Sequence, residues 1–319
     1  MVSNVKVLFV MIDGLSDNNI KKLSNKTPLQ SQEFNSFNAL ASSGLNGIHD
    51  PVESGLACGS DTAHMNIFGY NPFKLYSGRG SFETMGTGIS MDFDDIAFKC
   101  NFAYMNLSNG IVERRRVDRE FEKWGVPLCN EIEKIKIPGY EKYKITCLHA
   151  TEHRCGIKIS GPGLSADISG TDPIVDNKPL QVSKPNNVEN NDATMTADLV
   201  NKFSIEITKV LLSHPINIER KAKGLFYTNI ILLRGCGSRL KVPFFKEKHH
   251  MVPFMIAPTA VIAGIGMTFG FDIFIAKGAT GYYDTNLLSK AEKAISIFRE
   301  GKHDFGFIHI KAIDDAGHD

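Results

Sequence analysis

Residues 5–12, Val-Lys-Val-Leu-Phe-Val-Met-Ile, form a nearly continuous apolar run closed by Asp13-Gly14. A half-exposed antiparallel strand would alternate polar and apolar side chains. An almost unbroken run instead suits a central parallel strand buried on both faces. The same pattern returns near the other end of the chain, where residues 305–310, Phe-Gly-Phe-Ile-His-Ile, precede Lys311 and Asp314. Helical segments accompany both runs. Residues 33–43 read as a helix stopped by Gly44, and residues 259–269 as a helix stopped by Gly270 before a strand at 271–276. A further helix capped by Asp284 or Thr285 carries Leu288, Ala291, Ile295 and Phe298, and Gly301 ends it. Both ends of the chain are therefore α/β in character.

The middle has a different texture. From about Asn71 the chain turns to short strands, at 97–104, 143–149 and 156–160, separated by Gly, Pro and Asn clusters. Asp192 is placed to cap a helix with Val200, Phe203, Ile207 and Val210 at helical spacing, which His214-Pro215 would stop; residues 229–233 read as a buried strand. The expected organisation is a discontinuous α/β domain, residues 1–75 and 245–319, interrupted by an inserted α+β domain, residues 76–244. There is no internal repeat or low-complexity tract.

With 36 Lys plus Arg against 35 Asp plus Glu, the formal net charge is +1, so no global field draws the chain to nucleic acid or an anionic membrane. Any anion binding must be local. No apolar run approaches the roughly 20 residues needed to cross a bilayer. The six cysteines form no Cys-x-x-Cys pair or regular framework, and the N-terminus has no secretory pattern, so a reducing cytoplasm is expected. Oligomeric state is left open.

The stretch Gly59-Ser60-Asp61-Thr62-Ala63-His64 presents one hydroxyl on a glycine-led turn into a helix. Ser60 there suits either a helix cap or a phosphoryl acceptor, roles that are compatible because a helix N-terminus stabilises negative charge. No lysine or histidine in the motif is placed as its base, which favours a metal as activator. Asp13, at a strand end, and the Asp-x-x-x-His pair Asp314 and His318 are the candidate ligands. His64, one helical turn past Ser60, reads as a packing residue or as a support to the site. The run Arg114-Arg115-Arg116 with Arg119 is either a solvated turn or a carboxylate and phosphate grip, and His153-Arg154 and Arg234 are weaker candidates of the same kind. Gly264-Ile265-Gly266 with Gly270 mimics a dinucleotide fingerprint, but the next strand begins too soon for it to serve as one.

Taken together, the Ser60 motif with Gly69-Tyr70-Asn71-Pro72, Gly78-Arg79-Gly80-Ser81-Phe82-Glu83 and Cys100-Asn101-Phe102-Ala103 resembles the archaeal-type cofactor-independent phosphoglycerate mutases, of the alkaline phosphatase superfamily. Glu152-His153-Arg154, Ser169-Gly170-Thr171-Asp172-Pro173, Leu232-Leu233-Arg234-Gly235, Gly278-Ala279-Thr280-Gly281-Tyr282 and the last nine residues extend the resemblance along the chain. It implies an alkaline-phosphatase-like, mostly parallel sheet flanked by helices and an inserted substrate-binding domain. It also implies interconversion of 3-phosphoglycerate and 2-phosphoglycerate through a phosphoserine, without bisphosphoglycerate. Two divalent ions (Mn²⁺, Zn²⁺, Mg²⁺ or Co²⁺) are implied, with Asp13 and Ser60 facing one and Asp314 and His318 the other. Arg115, Arg116, Arg119, His153, Arg154 and Arg234 are implied to hold the substrate; the register of the arginine run is ambiguous by one residue, and Arg115 fits both registers. The family pattern has further ligands, an Asp-His pair and another His, downstream of the Asp-x-x-x-His motif. The expectation for the sequence as it stands is therefore a truncated chain with an incomplete two-metal site and little or no mutase activity.

Overall fold

A computed structural model describes residues 5–118 and 120–317. In chain order the elements are β1 (Val7–Ile12), α1 (Asn35–Ser43), α2 (Ser60–Ile67), α3 (Pro72–Leu75), α4 (Gly80–Gly86), β2 (Ile96–Asn106), β3 (Ile111–Arg114), α5 (Glu122–Ile132), β4 (Lys144–His149), β5 (Arg154–Ser160) and β6 (Lys178–Pro179). They continue as α6 (Asn191–Ser213), α7 (Pro215–Ala222), β7 (Ile230–Ser238), α8 (Phe245–His249), β8 (Pro253–Ile256), α9 (Ala260–Thr268), β9 (Asp272–Ile273), α10 (Leu287–Arg299), β10 (Phe305–Ile310) and α11 (Ala312–Ala316). The chain divides into two compact units: 1–72 with 244–259 and 270–319, and 73–243 with 260–269.

The first unit is built on a parallel sheet in the order β1-β10-β8-β9. Side chains of β10 alternate between two layers, as strand geometry requires. Ile308 packs with Phe254, Ile256, Ala294 and Ile297, which brings α10 onto one face. Phe307 meets Phe68 at 4.9 Å between ring centroids and His64 at 5.7 Å, which brings α2 onto the other. The central strand of the expectation is not β1: among the described residues β1 pairs only with β10, at the sheet edge, and Leu8 and Val10 are each 46% exposed. The buried-on-both-faces role belongs to β10 and β8.

In the second unit β2 is the axis of an antiparallel sheet. β5 and β7 pair along its first part and β3 near its end, giving the order β4-β5-β2-β3-β6 with β7 also on β2. Ile96, Phe98, Cys100 and Phe102 face a core shared with Leu128 and Ile132 of α5 and Leu199, Phe203 and Ile207 of α6. The alternate residues, Ala97, Lys99, Asn101 and Ala103, lie on the opposite face. Helix α6 is capped by Asn190, whose side chain accepts from Ala193 N–H, rather than by Asp192. His214-Pro215 ends α6 and at once begins α7, with the His214 side chain accepting from Ile216 N–H; proline is favoured at a first helical position.

Helix α9 packs with this second unit, although its sequence position, inside 245–319, placed it with the other. Its Gly264 explains the approach: a Cβ there would lie 1.8 Å from the Phe82 carbonyl oxygen of α4. The glycine pattern that mimicked a dinucleotide site lets two helices touch backbone to backbone.

Candidate functional site

In the first unit the site grows from the carboxyl ends of two adjacent parallel strands, where open α/β sheets place their ligands. β1 and β10 run in register from Val7↔Phe305 to Ile12↔Ile310, so the residues after them emerge side by side. Asp13 N–H donates to the Ile310 carbonyl at 2.9 Å, and Asp314 N–H donates to the Asp13 carbonyl at 3.1 Å. Gly14, at φ +76°, permits this meeting, because a Cβ there would stand 2.7 Å from the Asp314 backbone. Two aspartates 301 positions apart are thus joined through their backbones. The Asp13 carboxylate lies 3.4 Å from His309 Nε2. That neighbour, outweighing burial, holds the Asp13 carboxyl below its ordinary value of 3.8. Asp314 accepts from Lys311 Nζ across one helical turn.

Ser60 is the first residue of α2 and is half-buried. His64, one turn on, is buried; its Nδ1 donates to the Ser60 carbonyl at 2.6 Å, leaving Nε2 as the lone-pair nitrogen. Nε2 has no hydrogen-bond partner among the described residues. Burial, with His309 adding to it, lowers the His64 pKa to about 4, so the ring is neutral near pH 7. Its ring meets that of His309 edge-on, 5.2 Å between centroids. Contacts therefore run from the Ser60 carbonyl through His64 and His309 to the Asp13 carboxylate. The two histidines had little signal in the sequence beyond their positions, one turn after Ser60 and within a buried strand.

The donor chemistry around Asp13 suits an oxygen-preferring divalent cation: two backbone-linked carboxylates, each already facing a cationic or N–H group that a metal would replace. The described residues supply part of a coordination sphere: among them neither Asp13 nor Asp314 belongs to a group of three His, Cys, Asp or Glu ligand atoms lying within 4.8 Å of one another. His318 lies outside the described residues.

In the second unit the polar middle of β2 gathers cations. Lys99 pairs across the sheet with Arg234, and Asn101 with Arg154. Glu83 of α4 accepts from both Lys99 Nζ and Arg79 Nε at 2.8 Å. Burial pushes the Glu83 carboxyl up, but the Lys99 and Arg79 charges outweigh it and hold the group below 4.5. Arg115 grips Asp172 with both ends of its fork, Nε–Oδ1 at 2.6 Å and Nη2–Oδ2 at 2.7 Å, and Arg234 Nη1 lies 3.6 Å from the same carboxylate. Arg115 is thus an ordered, largely buried group rather than a solvated turn.

Its neighbours differ. Arg114 stacks on the Phe226 ring at 3.3 Å, while Arg116 is exposed; Arg114, Arg115 and Arg116 line a surface cleft of about 560 Å³ with Glu113 and Asp176. His153 is buried, and its carbonyl accepts from Phe102 N–H. Arg154 is part-exposed and pairs with Glu152 at 3.3 Å. Arg119 lies outside the described residues. Arg79, Glu83, Lys99, Asn101 and Asp172 went unassigned in the sequence; the polar residues alternating with Phe98, Cys100 and Phe102 were the available signal.

A family described as 2,3-bisphosphoglycerate-independent phosphoglycerate mutase matches residues 41–217. The mutase of that name from Sulfurisphaera tokodaii is 38% identical over 315 residues, covering 98% of this chain and 75% of the relative. The chain belongs to the 2,3-bisphosphoglycerate-independent phosphoglycerate mutases. A Methanothermobacter thermautotrophicus mutase is 37% identical over 99% of this chain and 76% of its own length. Among solved structures, the cofactor-independent phosphoglycerate mutase of Thermoplasma acidophilum superposes with a TM-score of 0.71 at 30% identity, over 96% of this chain and 77% of that one. A Pyrococcus horikoshii protein gives 0.78 at 31% identity, over 99% and 72%. The α/β architecture, a parallel sheet flanked by helices, is common to the family's structures. Among the described residues no helix is long and apolar enough to cross a membrane.

Proposed function

We propose that this mutase interconverts 3-phosphoglycerate and 2-phosphoglycerate in the cytoplasm through a phosphate carried transiently by Ser60, with no bisphosphoglycerate. The observation that carries the reading is the placement of Ser60. It begins a helix, where backbone N–H groups favour an anion, and its turn is held by His64, which contacts His309 beside Asp13. In the forward half-reaction Ser60 Oγ gives up its proton to solvent and forms a bond to phosphorus as the phosphorus–glycerate oxygen bond breaks, and the glycerate oxygen takes up a proton from solvent in return. The reverse step delivers the phosphate to the other hydroxyl. His64 stays neutral and fixes the turn; it moves no proton in this scheme.

Asp13, Ser60, Asp314 and His318 would hold two divalent ions, whose contribution when bound is to lower the serine pKa and neutralise phosphoryl oxygens. The second unit, residues 73–243 with 260–269, would keep the glycerate from escaping. Arg115, Arg234, Arg154 and Arg116, with Lys99 opposite Arg234 across the sheet, would supply guanidinium and ammonium groups for a carboxylate; Arg119 and His153 are proposed for the same role from the sequence alone. Escape of the glycerate after the first half-reaction would turn the mutase into a phosphatase.

The test is product analysis from 3-phosphoglycerate with Mn²⁺ on the purified protein. The protein is expected to form 2-phosphoglycerate, and Ser60→Ala to abolish it with the circular dichroism spectrum unchanged, because water cannot replace a covalent carrier. Free phosphate without 2-phosphoglycerate would overturn the mutase reading.

A further inference from the structure

Five of the six cysteines lie in the core of the second unit, and Cys100, Cys129, Cys147 and Cys155 gather around strands β2, β4 and β5 and helix α5. The β2–β5 register sets Cys100 opposite Cys155, and the β4–β5 register sets Cys147 opposite Ile157, which makes Cys147 and Cys155 diagonal neighbours on one face. Helix α5 lays Cys129 over that face. The Sγ atoms of Cys129, Cys147 and Cys155 all lie within 4.8 Å of one another, and all three side chains are buried. Leu128, Ile132, Ile145 and Ile157 share the same core. Sequence gave no warning, because the cysteines sit on three separate elements at unrelated spacings.

We propose that Cys129, Cys147 and Cys155 form a binding site for a thiophilic closed-shell metal ion of the Zn²⁺ or Cu⁺ class. Metal–sulfur bonds of about 2.3 Å put the sulfurs of a trigonal or tetrahedral site roughly 3.7–4.0 Å apart, a small contraction from the upper limit of the present spacing. Soft thiolates without hard oxygen donors select such ions over Mg²⁺ or Mn²⁺, so the site differs in chemistry from the carboxylates of the first unit. Without metal, burial keeps the thiols of Cys147 and Cys155 protonated. On binding, each S–H proton passes to water or buffer and the sulfur pair bonds the metal; no electrons are exchanged. The sulfurs are closed to solvent, so the ion enters as the unit folds.

Cd²⁺ is the probe, because its thiolate complexes absorb in the ultraviolet where carboxylate complexes do not. The chain is unfolded under reductant, refolded with one equivalent of Cd²⁺ and desalted, then read by absorption and elemental analysis. The expected result is a thiolate–cadmium band that falls at least tenfold in Cys147→Ala and in the volume-conserving Cys129→Ser. It should persist in Cys58→Ser and Cys236→Ser, whose cysteines lie outside the trio. Circular dichroism establishes folding, and Cys129→Ser carries the test alone if Cys147→Ala does not fold. Wild-type protein that refolds without the band, its cysteines then packing as small apolar groups, would overturn the proposal. So would a band undiminished in folded Cys129→Ser.

Discussion

Asp172 orders the arginines of the second unit. Its carboxylate is buried beneath the Arg115 fork, and Arg115 is itself largely buried, so removing the negative charge leaves a guanidinium without its counterion. Breaking a buried pair in this way costs about 3 kcal/mol. Asp172→Asn is expected to lower the urea midpoint accordingly. Although burial pushes the Asp172 carboxyl up, Arg115 and Ile174 N–H hold it below 3.8. Its contribution is therefore present above pH 3.8 and lost as pH falls through the depressed value, so wild type and variant should converge in acid. Parallel curves at all pH values would contradict the pairing. His64 gives a second pH signature. Its pKa is about 4 folded against 6.5 unfolded, so the unfolded state binds more protons between those values and stability falls as pH drops through that window. The loss approaches roughly 3 kcal/mol at 1.36 kcal/mol per unit. His64→Gln should flatten the pH 4–6.5 limb of a thermal-melt series; an unaltered limb would place the titration elsewhere. At this scale the helix start at Ser60 was legible because its motif is local. The Arg115 partner was not, because it lies 57 residues away and only the folded sheet brings the two together.

Among the elements, the strands and helices with strong periodicity, β2, α6, α10 and β10, were readable at nearly their full length. The errors have local causes. Asn190 outcompetes Asp192 as a cap because it stands one residue before the first helical turn, and α7 was hidden because His214-Pro215 reads equally as a stop or a start. The strand at 271–276 shrinks to β9, two residues with one neighbour. For β1, apolar composition reported what the strand could bury and not how many neighbours it has. The difference is measurable. Leu8→Ser on the part-exposed β1 should cost under about 1 kcal/mol, while Ile308→Ala on β10, packed against Phe254 and Ile297, should cost about 3 kcal/mol. Equal losses in urea unfolding would show β1 to be as buried as β10.

For the whole molecule, the change of texture near Asn71 and the return of α/β pattern late in the chain set the expectation of an outer unit, 1–75 and 245–319, interrupted by another; the chain divides as 1–72 with 244–259 and 270–319, and 73–243 with 260–269. Helix α9 escaped because close helix packing through Gly264 leaves no periodic trace. Function was legible through linked motifs spread along the chain, with no one motif sufficient. The central claim is that Ser60 itself carries the phosphate. Its most direct test is acid quench of the purified protein during turnover of 3-phosphoglycerate with Mn²⁺, followed by mass spectrometry of the peptide containing Ser60. A phosphoryl group on Ser60, appearing with substrate and absent without it, is expected. Turnover with that peptide unmodified, and with Ser60→Ala still forming 2-phosphoglycerate, would contradict it.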